Sequence, residues 1–141
     1  MQKIEHIGIA VRDLSVSIPL FEKLLNTHCY KTEQVASENV NTAFFRMGDS
    51  KIELLESTGD ESAINRFLEK KGEGIHHIAF TVVDILAEMD RLKKQGFVLL
   101  NDIPKKGGDN KLVCFLHPKS SNGVLIELCQ EDGEEEMKNK K

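Results

Sequence analysis

Apolar and polar positions alternate from the start of the chain: in residues 3–11, Ile7, Ile9 and Val11 share one parity and His6, Gly8 and Ala10 the other. A period of two marks a strand. The period then changes. Asp13 stands at a helix N-cap position, and Leu14, Ile18, Phe21 and Leu25 line one helical face, which predicts a helix over about 14–26. Strands follow near 28–36, 40–47 and 50–56, with Gly48-Asp49 as the turn between the last two. A connecting helix over about 61–71 ends at Gly72. The order then recurs: strand 75–82, helix 84–95 with Asp84 at its cap and Ile85, Met89 and Leu92 on its apolar face, then strands near 97–100, 112–116 and 123–129.

The recurrence is visible in the residues as well as in the pattern. EHIGIAV from Glu5 matches HHIAFTV from His76, and KIELLE (Lys51 to Glu56) matches VLIELC (Val124 to Cys129), at nearly equal offsets. Internal repeats of this kind predict two copies of one plan. The fold class is therefore α+β: two βαβββ modules, about 3–58 and 74–130, joined by the 61–71 helix into one domain over 1–130, with a curved mixed sheet that cups a site. Residues 131–141 are charged and nearly devoid of apolar side chains, and are expected to be a disordered tail.

Parity also sorts the candidate chemistry. Helices must cover the bulky face of each strand, so Ile7, Ile9, Val11, Ile52, Leu54, Ile78, Phe80, Ile126 and Leu128 face helices. The opposite face carries His6, Glu53, His77 and Glu127 among small residues. A strand histidine taken alone is usually structural, but His6 and His77 occupy matched positions, as do Glu53 and Glu127. Two imidazoles and two carboxylates in one hollow suit Zn, Co, Mn or Fe rather than an oxygen-only ion. His76 matches Glu5 and points the other way, so it is expected at the surface or behind a ligand. Glu56 lies on the helix-facing parity and is expected at the surface of a strand end. His117 is expected to mark a turn, and His28 has only a structural reading.

Composition narrows the partners. The 141 residues are 40% hydrophobic and 30% charged, enough for a core without disulfides. A net charge of −4 argues against a nucleic-acid partner. The three cysteines, Cys29, Cys114 and Cys129, form no CxxC pair and are expected as thiols in a reducing cytosol. No signal peptide and no apolar run of membrane-spanning length is evident, so neither a membrane nor export is expected.

HIGIAV (His6 to Val11), GIHHIAF (Gly74 to Phe80) followed by Val83-Asp84-Ile85, and HPKSSNGVLIEL (His117 to Leu128) together resemble the vicinal oxygen chelate superfamily. Within it, they resemble the methylmalonyl-CoA epimerases, from about Ile4 to Leu128. The resemblance implies a metal held by His6, His77 and Glu127, with Glu53 at the family's remaining ligand position. Cobalt is the implied ion, with Zn, Mn, Mg, Ni or Fe as substitutes. It implies interconversion of (2R)- and (2S)-methylmalonyl-CoA by α-proton abstraction through a metal-chelated enolate, on a small CoA thioester substrate, in a cytoplasmic homodimer. Such chemistry needs a proton removed from one face and delivered to the other. Glu127 is the first candidate acid–base group. The second stays open between Glu53 and a bound water, because the strand over 40–45 reads VNTAFF and offers no carboxylate near Thr42. Arg46, Lys51, Lys105, Lys106, Lys111 and Lys119 are candidate phosphate contacts. A glyoxalase-like lyase, a ring-cleaving dioxygenase and a small-molecule-binding protein are the alternative readings on the same scaffold.

Overall fold

The computed structural model describes residues 1–131. These divide into two compact units, one of residues 6–77 and one of residues 1–5 together with those from 78 onward.

The elements of the first half are β1 (Lys3–Val11), α1 (Leu14–Leu25), β2 (Lys31–Val35), a 3₁₀ turn (Ala36–Glu38), β3 (Val40–Met47), β4 (Ser50–Ser57) and α2 (Ala63–Lys71). The strand order is β2-β3-β4-β1; β1 and β4 are parallel and the other pairs antiparallel. The Asp13 side chain accepts from Ser15 N and starts α1, and Asn26, with φ 53°, ends it. The tight turn between β3 and β4 is made by Gly48 with φ +62°. Packed under α1 are Val11, Leu14, Ala43, Phe45 and Leu54, joined by Ile9, Ile18 and Phe21. Phe45 is fully buried, which contributes about 1.5–3 kcal/mol for such a side chain.

The second half consists of β5 (Gly74–Thr81), α3 (Ile85–Lys94), β6 (Lys105–Lys106), β7 (Lys111–Leu116) and β8 (Ile126–Glu131), in the order β5-β8-β7-β6. Again the first and last strands of the copy are parallel, Ala79 standing beside Glu127. Asp84 caps α3 by accepting from Ala87 N. Ile85, Met89 and Leu92 of α3 pack on Cys114, Leu116 and Leu128, with Ile126 alongside. Each half is thus the expected βαβββ copy with a mixed sheet, and the parities that face α1 and α3 are those read from the sequence. None of the three cysteines is in a disulfide.

Four expectations are corrected. First, 97–100 is not a strand: only Leu99 bridges Leu116, and the two-residue β6 takes the edge position instead. Phe97 and Leu99 are drawn to the α3 core, and Leu100 N reaches Phe115 O without a full ladder forming. Second, residues 28–30 precede β2 rather than belong to it. Cys29 packs against the α1 cluster, and Tyr30 N bonds the neighbouring strand at Phe44 O. Third, the face assigned to the hollow is partly covered. Ala10, Val40 and Leu55 share the parity of His6 and Glu53, and Ile64 and Leu68 of α2 pack on them. That end of the face is apolar, so water there would be unfavourable. Fourth, Glu131, the first residue of the expected tail, closes β8. The rest of that tail, 132–141, lies outside the described residues.

Candidate active site

β1 and β4 run parallel with Gly8 beside Glu53 and His6 beside Lys51. His6, Lys51, Glu53 and His77 are each 5–8% exposed. Charged and imidazole groups that deeply buried must satisfy one another. His6 Nδ1 lies 3.0 Å from Glu53 Oε2, and Lys51 Nζ lies 3.7 Å from that same oxygen. On its other side, His6 Nε2 faces His77 Nε2 at 2.9 Å, with the two rings nearly perpendicular. His77 Nδ1 in turn stands 2.9 Å from His76 Nδ1. His76 is braced edge-to-face on Phe67 of α2, ring centroids 5.1 Å apart. A continuous polar line therefore runs His76–His77–His6–Glu53–Lys51.

The histidine pair depends on Gly8. A β-carbon there would stand 2.2 Å from His77 Cε1 and 2.6 Å from its Nδ1, so the missing side chain is the space that the imidazole fills.

Two neutral imidazoles cannot both aim a lone pair at 2.9 Å without something positive between them, a shared proton or a cation. Two nitrogens bound at adjacent corners of an octahedron, each about 2.0–2.1 Å from the ion, would stand about 2.9 Å apart. The observed spacing equals that edge, and each Nδ1 already has a partner, so these residues fit a divalent ion.

Glu127 belongs to the other unit. It is 6% exposed and stands between Ala79 of β5 and Phe115 of β7, on the face opposite the α3-packed Ile126 and Leu128. That is the parity read from the sequence.

Other assignments shift. Lys51 is not a rim residue: the parity that buries Glu53 also buries it, over the ring of Phe44. Arg46 stacks on Tyr30 at 4.8 Å, and Lys111 is ion-paired with Glu131. Glu56 is more than a strand-end surface group. Its Oε2 accepts from Leu14 N at 2.8 Å and its Oε1 from Asn41 Nδ2, so it ties β4 to the first turn of α1. His117 Nδ1 accepts from Lys119 N, which confirms its turn role. His28 is exposed, 3.5 Å from Glu22.

The sequence reading missed the His76–His77 ring contact and the burial of Lys51. Val40, Thr42 and Phe44 of β3 share the site face, Phe44 standing opposite Glu53. Thr42 itself is buried and supplies no carboxylate. The signal in the sequence for Lys51 was its shared parity with Glu53; the ring contact of His76 leaves no such signal. Among the described residues, no helix is long and apolar enough to cross a membrane.

Comparison with known proteins gives a consistent picture. A family profile described as the Glyoxalase/Bleomycin resistance protein/Dioxygenase superfamily matches residues 5–115. An ethylmalonyl-CoA/methylmalonyl-CoA epimerase of Cereibacter sphaeroides is 42% identical over 91% of this chain and 97% of its own. The crystal structure of the Mycobacterium tuberculosis methylmalonyl-CoA epimerase superposes with a TM-score of 0.87 at 33% identity, over 91% of this chain and 87% of that one. A methylmalonyl-CoA epimerase solved in complex with methylmalonyl-CoA and NH4+ also gives 0.87, at 34% identity over 93% and 95% of the two chains.

Proposed function

The chain belongs to the Glyoxalase/Bleomycin resistance protein/Dioxygenase superfamily and, within it, to the methylmalonyl-CoA epimerases, and from that premise we propose that it interconverts (2R)- and (2S)-methylmalonyl-CoA. The supporting observation in the chain itself is the buried imidazole pair, Nε2 to Nε2 at 2.9 Å, held from behind at both Nδ1 atoms. His6, His77 and Glu127 would hold the ion; Glu53, which the resemblance puts at the fourth ligand position, stands behind His6 at its Nδ1 instead. Cobalt is the favoured ion, and imidazole with carboxylate also suits Zn, Mn or Fe. When bound, such an ion supplies Lewis-acid polarisation of the substrate's oxygens, worth several kcal/mol.

The α-carbon of methylmalonyl-CoA lies between a thioester carbonyl and a carboxylate, so its proton is already acidified. Epimerisation requires one group to take that proton and another to return one on the opposite face. Glu127, buried among Ala79 and Phe115, is the first group. For the second, Glu53 and a bound water are the candidates. The Glu53 Oε2 is already engaged by His6 Nδ1 and Lys51, and its work is to hold His6 in orientation. That engagement favours water as the second group. The enzyme is proposed to work in the cytoplasm as a homodimer, which sedimentation of the purified protein would check.

The superfamily also includes dioxygenases by name. The epimerase reading is preferred because the relatives above align over nine-tenths of the chain and bear that name. Metal analysis with His77→Ala tests it. The expected result is one divalent ion per chain in the wild type, lost in the variant together with epimer interconversion by at least about 100-fold. A His77→Ala protein that retains both contradicts the proposal.

A further inference from the structure

The line of imidazoles has a direction set by its chemistry. Glu53 as a carboxylate only accepts, so the 3.0 Å contact requires His6 to carry its proton on Nδ1, which leaves His6 Nε2 as a bare lone pair. With neutral rings, His77 must then donate from Nε2 to His6, and His77 Nδ1 must accept from His76 Nδ1. This is the only arrangement of neutral rings in which each of the three contacts has one donor and one acceptor. For His77 to present Nε2 as a lone pair to a cation, its proton must sit on Nδ1 instead. The contact at 2.9 Å survives that change only if His76 Nδ1 becomes the acceptor. An imidazole can play either part by moving its own proton to Nε2. A carboxylate can only accept, and an ammonium or guanidinium can only donate.

We infer that His76 is a positioning residue that sets the tautomer of His77: it donates to His77 Nδ1 when the pair shares a proton and accepts from it when His77 turns its lone pair to a cation. The two rings that face each other are therefore backed differently. His6 has a fixed acceptor, Glu53. His77 has a reversible partner, His76, which holds its place against Phe67 at 5.1 Å, ring edge to ring face. His6 is permanently ready to bind, and His77 becomes ready only by a change passed through His76, with no change in net charge. The strand parity that turns His76 away from the pair at the Cα does not prevent this, because both rings reach sideways through Nδ1.

The inference rests on the proposed metal site, so its test has an arm without metal. Imidazole ¹⁵N spectra of metal-free protein are recorded for the wild type, His76→Phe and His76→Asn, and Co²⁺ affinity is measured for each by calorimetry. His76→Phe keeps an aromatic ring against Phe67 but removes the nitrogen. His76→Asn places an amide that can donate or accept near the Nδ1 position. The expected result is that His76→Phe shifts the His77 nitrogens away from the single wild-type tautomer and weakens Co²⁺ binding about 10–100-fold, and that His76→Asn restores most of both. Unchanged His77 signals together with unchanged Co²⁺ affinity in His76→Phe would overturn the inference, as would equal losses in both variants, which would mark packing alone. If the wild type binds no Co²⁺, the metal reading fails, and the His77 signals alone decide whether His76 sets its tautomer.

Discussion

At Gly8 the difference of one methyl group decides whether the histidine pair can form. A β-carbon 2.2 Å from His77 Cε1 forces the ring to move, and the Nε2–Nε2 spacing is lost with it. Gly8→Ala should fold, with a stability loss of about 1–3 kcal/mol from overpacking, while epimerase activity and Co²⁺ affinity fall by at least about 100-fold. Wild-type affinity in Gly8→Ala, measured by calorimetry, would show that His77 need not lie over Gly8. His6, His77, Glu53 and Glu127 were legible because each occurs twice at matched positions of a repeat, and all four are buried on the parity assigned to them. The His76–His77 contact was not, since the matched position of the other copy is Glu5 and His76 reaches His77 by its ring rather than by the direction of its Cβ.

Elements read well where a cap residue and an apolar period agree, and poorly where only one is present. Asp13 and Asp84 mark the starts of α1 and α3 as expected. The segment 97–100 is apolar throughout, but Phe97 and Leu99 pack into the α3 core, and a strand does not form. For α2, the face it would cover could not be known from its own sequence. Ala10, Val40 and Leu55 had to be recognised as an apolar end of the same face that carries His6 and Glu53. On α3, the Arg91 guanidinium beside Glu88 holds that carboxyl below the usual carboxylate range. A depressed folded value means the pair adds stability above the unfolded-state value, and that stability is lost as the pH falls through the folded one. Glu88→Gln should therefore cost only about 0.2–0.5 kcal/mol near neutral pH, as for an exposed helix pair. It should also flatten the acid limb of the stability curve in denaturant titrations. A steeper acid limb in the variant would be inconsistent with that pairing.

Over the whole molecule, one βαβββ plan is used twice, with the same strand order and the same parallel pairing of first and last strands in each copy. Each copy contributes one histidine on its first strand and one glutamate on its last: His6 and Glu53, then His77 and Glu127. Duplication explains why so much of the fold could be read from pattern alone. It also explains why His76, which stands where the other copy has Glu5, was the harder position to read. The most direct test of the proposed reaction is to incubate methylmalonyl-CoA with the Co²⁺-loaded protein in deuterium oxide and follow the α-position by mass spectrometry and NMR. The account predicts deuterium at the α-carbon of both epimers, with the thioester intact and no net loss of substrate. An α-proton that stays in place throughout, with the protein folded and loaded, would contradict it.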